Sequence, residues 1–211
     1  LWDPSQGYAA GIPVIFNIYE FTKAIHDKAA DEGLIVLANI STPANGAVHY
    51  AHLVDVPSGE IGYGWGDSIE EFALRRTLAY QKPWSLLLTQ YTPSGEHSLS
   101  YEEREELLKR AVAYGVFANV LGLGASAEDY ETYRPLFKKY VPVLTALDAA
   151  GWEPVPYALI DREGLVMERY GSAEYGSVYY TLYASDEQSG AVTITIDLAS
   201  LGFTAKTAKK L

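Results

Sequence analysis

The sequence predicts an α/β chain in two parts: helices alternating with buried strands through residue 151, then a small antiparallel β unit. Two observations carry this. Up to Gly151, stretches with apolar residues at helical spacing alternate with short continuous apolar runs, as strands of a parallel sheet covered on both faces would read. From Trp152 onward the segments are short, rich in β-branched and aromatic residues, and separated by "DREG", "SAEYG" and "DEQSG".

Taken in order, residues 19–33 place Phe21, Ala24, Ile25 and Ala29 on one side of a helix and close on Gly33, suited to a C-terminal cap. "LIVLAN" (34–39) follows as a doubly buried strand, and "YAHLVDV" (50–56) reads as the next. Ser68 with Glu71 three residues later is a capping box, opening a helix that carries Phe72, Leu74, Leu78 and Tyr80 toward Pro83. "WSLLLTQY" (84–91) is another buried strand. Ser100 with Glu103 repeats the box, and the helix behind it turns Leu107, Leu108, Ala111 and Val112 inward before Gly115. "VFANVLGLG" (116–124) is the strand after that. The last long helix is expected to open near Arg134 and Pro135, since proline suits a first helical turn, and to run past a kink at Pro142 to Gly151. "PVPYALI", "LVMERYG", "SVYYTLYASD" and "AVTITIDL" then make the antiparallel unit, and "TAKTAKKL" a frayed tail.

Composition narrows the function. The 211 residues are 48% apolar, enough for a sizeable core. A net charge of −11 repels nucleic acid and anionic lipid, so neither nucleic acid nor membrane is expected as a partner. The absence of cysteine removes disulfides, thiolate metal sites and cysteine nucleophiles. No apolar run approaches the roughly 18 residues of a membrane span. The chain begins at Leu1, with "LWDPSQGYAAGIPVIFN" reading as a long loop, which leads to the expectation of a strand before it.

Only the first 150 or so residues read as β/α, whereas a closed eight-unit barrel needs about 200 or more. The count therefore makes residues 1–151 an incomplete barrel if they form one at all, and residues 152–211 a separate small antiparallel unit. "RRTLAYQKPWSLLLT", "RAVAYGVFANVLG" and "YRPLFKKYVPVLTALDAAGWEPVPYA", followed by "VYYTLYAS" and "VTITIDL", resemble the C-terminal half of large bacterial and archaeal glycoside hydrolase-like proteins. The resemblance covers nearly the whole chain and is strongest in framework stretches. It implies that residues 1–151 are the C-terminal portion of a (β/α)8-type barrel, a partial TIM-type barrel, and residues 152–211 a β-sandwich, with two carboxylates at the C-terminal ends of barrel strands flanking the scissile bond. One of that pair commonly sits on the fourth barrel strand, which this chain is expected to lack.

Site candidates follow from strand ends. With "YAHLVDV" as a strand, Asp55 falls at its C-terminal end and Glu60 in the loop beyond, the two candidate catalytic carboxylates. Tyr63 and Trp65 would stack on sugar rings within the glycine-rich "DVPSGEIGYGWGD". The plainer alternative is that Asp55 caps the turn at Pro57, Ser58 and Gly59 while Glu60 is solvated. Asn39 at the end of "LIVLAN" could hold a sugar hydroxyl, or cap its own loop. His49, His52 and Asp55 recur at three-residue spacing but lack any HExxH-type pattern. The histidines are accordingly read as hydrogen-bonded or sugar-contacting, with no metal and no cofactor expected. Tyr91, with Glu96 and His97, lies in the loop after "WSLLLT" and would line the same cleft.

The functional expectation is a carbohydrate-active hydrolase piece, extracellular, with the cytoplasm the alternative location. The competing expectation is a non-catalytic assembly subunit reusing a hydrolase fragment. In either case the cut sheet edge calls for a complementary N-terminal half or for further copies of the chain.

Overall fold

The computed structural model describes residues 14–40, 48–61, 68–88, 99–119, 126–184 and 190–204. The elements run α1 (Val14–Asp31), β1 (Leu37–Asn39), a 3-10 turn (Ala51–Leu53), β2 (Val56–Ile61), α2 (Ile69–Ala79), β3 (Trp84–Leu88), α3 (Tyr101–Ala113), β4 (Val116–Asn119) and α4 (Ala127–Ala150). Then come β5 (Trp152–Glu153), β6 (Ala158–Ile160), β7 (Leu165–Ser172), β8 (Ser177–Ala184) and β9 (Ile194–Ile196). The fold is mixed α/β. Strands β1 to β4 make one parallel sheet in chain order, and the antiparallel strands make two further sheets, β5-β7-β8 and β6-β9.

Caps set the helix starts. The Ser68 side chain accepts the Glu71 amide, and Ser100 with Glu103 forms a full capping box. Helix α4 opens well before the expected Arg134, because Ser126 and Asp129 form a second full capping box in which aspartate replaces the usual glutamate, whereas the box expected at Ser68 and Glu71 is only half formed. Pro135 and Pro142 consequently lie inside this helix.

Three other expectations are corrected. "YAHLVDV" is not a strand: Ala51, Leu53 and Val54 are buried, but around a 3-10 turn, and the strand that follows is "VPSGEI". Pro57 is tolerated there because the β2–β3 ladder begins one residue later, with Ser58 opposite Ser85. "LIVLAN" supplies only a three-residue strand at the sheet margin, with Leu34, Ile35 and Leu37 exposed. Helix α1 turns Tyr19 toward the core, its ring 5.9 Å from that of His52, and leaves Phe21 and Ile25 outward.

The parallel sheet has two unlike faces. On one, Ile61, Trp84, Leu86, Val116 and Ala118 are buried in a single cluster with Phe72 of α2, Leu107, Leu108 and Ala111 of α3, and Leu136 and Tyr140 of α4. Strand alternation places Asn39, Ser58, Glu60, Ser85, Leu87, Phe117 and Asn119 on the other. The expectation of a sheet apolar on both faces thus holds for one face only.

The three-stranded sheet joins the same body through α3 and α4. Tyr170 and Thr181 both donate to the Ala113 carbonyl, at 3.2 and 2.6 Å, and Tyr183 donates to Glu106 at 2.5 Å. Gly115, at φ 59, lies so close under Tyr170 that a Cβ would come within 2.7 Å of its ring. Trp152 packs with Leu147 and Tyr170, and its indole N–H donates to Glu168 at 2.6 Å.

Burial holds the Glu168 carboxyl above its ordinary 4.5, the Trp152 bond and the Arg76 charge only partly opposing it. A raised folded value means that this group's stabilising share is full below 4.5 and is lost as pH climbs through the folded value. Glu168→Gln, which still offers Trp152 an acceptor, should therefore melt above wild type at neutral pH. Below pH 4.5 the advantage should vanish; thermal unfolding at the two pH values measures it.

Candidate functional site

A parallel sheet presents its chemistry at the C-terminal ends of its strands, where the loops that follow can converge on one face. Here the partly polar face supplies the residues. Asn39, Ser58, Ser85 and Phe117 share one register row, and Glu60, Leu87 and Asn119 form the next row toward those ends. The Asn39 amide donates to Glu60 Oε1 at 2.8 Å, fixing one carboxylate oxygen and thereby orienting the other. Glu60 is half-buried and is the sole carboxylate on the four strands. A carboxylate held in this way can serve as base, nucleophile or, when protonated, acid.

Asp55 stands at the other end. It precedes β2, and five residues of extended strand separate it from Glu60 by about 16 Å. That exceeds the roughly 5 to 9.5 Å between the carboxyl groups of a glycosidase pair. Asp55 instead clasps β1 to β2: Oδ2 accepts the Val36 amide at 2.7 Å, and its own amide donates to the Val36 carbonyl at 2.9 Å. Lys82 braces the same end through the carbonyls of His52 and Val54, at 2.6 and 2.8 Å, and burial holds its ammonium below the usual value. Asp55→Ala orphans the Val36 amide, an expected loss of about 1 to 3 kcal/mol by chemical denaturation. Any turnover that depends on Glu60 should persist in that variant.

His52 belongs with Asp55: it sits on the 3-10 turn, exposed, with its ring against Tyr19. His49 is exposed in the turn before it. Among the described residues no group of three or more His, Asp or Glu side chains is placed to hold a metal ion. Tyr63, Trp65 and Tyr91 lie outside the described residues. The structure thus brings together Asn39 and Glu60 from the predicted set and separates Asp55 and His52 from them. Sequence reasoning missed Ser58, Ser85 and Asn119; the alternation of serine and glutamate in "VPSGEI" was the available signal. No family model, no curated protein and no solved structure matches this chain.

Proposed function

We propose that the chain is the C-terminal part of a carbohydrate-active glycoside hydrolase, its parallel sheet part of a TIM-type barrel and its antiparallel sheets a β-sandwich. The observation that carries this reading is Glu60, oriented by Asn39 at the C-terminal end of a parallel strand on a partly polar face. Glu60 is one member of the carboxylate pair that hydrolyses a glycosidic bond, and the second comes from outside the four strands. Release of reducing sugar from a polysaccharide panel, with wild type beside Glu60→Gln, tests the assignment. Activity that ignores the substitution would remove Glu60 from the mechanism.

A second reading, an assembly subunit, draws support from a different region. Ile18, Phe21 and Ile25 of α1 and Leu34, Ile35 and Leu37 beside β1 are all exposed large apolar residues. They flank β1, the margin strand of the sheet as described. On this reading the margin is covered by a complementary N-terminal half or by another copy. Light scattering at micromolar concentration should report a mass above 23.2 kDa for the isolated chain. A monodisperse monomer would refute association.

A further inference from the structure

The row that carries Glu60 continues across the sheet. Leu87 stands in register beside it, and Asn119 beside Leu87, both on the face opposite the helices. One row below, Ser85 and Phe117 are neighbours in the same way. Glu60 and Asn119 are therefore two strand spacings apart, roughly 9 to 10 Å at the backbone, with an apolar side chain between them. Asn119 is exposed, and Ser85, Leu87 and Phe117 are half-buried.

This arrangement matches a pyranose more closely than a peptide or a nucleotide. A sugar ring has an apolar C–H face and an equatorial rim of hydroxyls that both donate and accept. Leu87 and Phe117 offer an apolar floor, one member aromatic. Glu60 accepts, Asn119 can both donate and accept, and the Ser85 hydroxyl does likewise. No lysine or arginine lies on the four strands to take a phosphate, and the chain's charge of −11 disfavours polyanions.

We infer that Asn119 is a specificity-determining residue of the Glu60 site, binding a hydroxyl of a pyranose whose C–H face rests on Leu87 and Phe117. The inference rests on the carbohydrate reading above and adds residues on β3 and β4 to it.

The test is binding by the full chain, independent of turnover. Methyl pyranosides of glucose, galactose, mannose and xylose serve as probes, followed by saturation-transfer NMR and titration calorimetry. At least one probe should bind wild type, with saturation strongest at ring C–H protons. Asn119→Ala should weaken it about fivefold, the worth of one hydrogen bond. Phe117→Leu, which keeps the volume apolar, should also weaken it and reduce the C–H saturation. Absence of binding by wild type, or equal affinity in both variants, overturns the inference. Hydrolysis lost in Glu60→Gln, with binding indifferent to Asn119 and Phe117, would leave the hydrolase reading standing and remove only this one. Binding that follows the two variants while Glu60→Gln hydrolyses normally would keep the pyranose contacts of Asn119 and Phe117 and remove Glu60 from the mechanism.

Discussion

Trp152→Ala is expected to lower unfolding stability by about 3 to 5 kcal/mol, the usual cost of emptying a large aromatic site in a core. The side chain is 7% exposed, packed with Leu147 at the end of α4 and Tyr170 of β7, and meets the Tyr80 ring edge-on at 6.2 Å. No slack in the chain cushions the change: Gly151 ends α4 and β5 begins at the next residue. The loss compounds because Glu168 is half-buried and its bond from the indole N–H, at 2.6 Å, goes with the ring. Trp152→Phe separates the two effects, since it keeps most of the packing and removes only the donor, for about 1 to 2 kcal/mol. Urea titrations followed by circular dichroism measure both. A midpoint for Trp152→Ala equal to that of wild type would mean that Trp152 does not hold the antiparallel sheet to α4.

On the proposed hydrolase reading, Glu60→Gln is expected to lower kcat/KM for polysaccharide hydrolysis by a factor of about 10² to 10⁴, the range set by removing a positioned acid or base. The fold should survive, because a glutamine oxygen can still accept from the Asn39 amide. What disappears is the charge and the exchangeable proton, so the fall should lie in kcat more than in KM. Asp55→Asn provides the contrast: it still offers an oxygen to the Val36 amide and should hydrolyse at a rate close to wild type. A reversed order, with Asp55→Asn inactive and Glu60→Gln as active as wild type, would place the chemistry at the other end of the sheet.

Local signals in the sequence were faithful where the chemistry is itself local. Ser68 with Glu71 and Ser100 with Glu103 announce α2 and α3 because a cap is a contact three residues long. The same logic marks α4 at Ser126 once aspartate is admitted at the third position, and Pro135 misleads because a proline inside a long helix imitates one at its start. Where partners across the sheet decide, the sequence is ambiguous. Buried Ala51, Leu53 and Val54 imitate a strand while lying in and just after a 3-10 turn, and Pro57 and Gly59 imitate a turn while lying in β2. That shift moves Asp55 to the wrong end and hides the row shared by Glu60 and Asn119, which exists only once β2, β3 and β4 are in register. The texture change at Trp152 was legible, since hairpin strands carry their own β-branched and aromatic pattern.

The most direct measurement is the crystal structure of Glu60→Gln bound to an oligosaccharide that wild type cleaves. The account predicts sugar density along the face of β2 to β4, with a pyranose over Leu87 and Phe117, a hydroxyl on Asn119, and the glycosidic bond beside residue 60. Sugar seated on the antiparallel sheets or on the helix-covered side, with the Asn39 and Glu60 face empty, would contradict it.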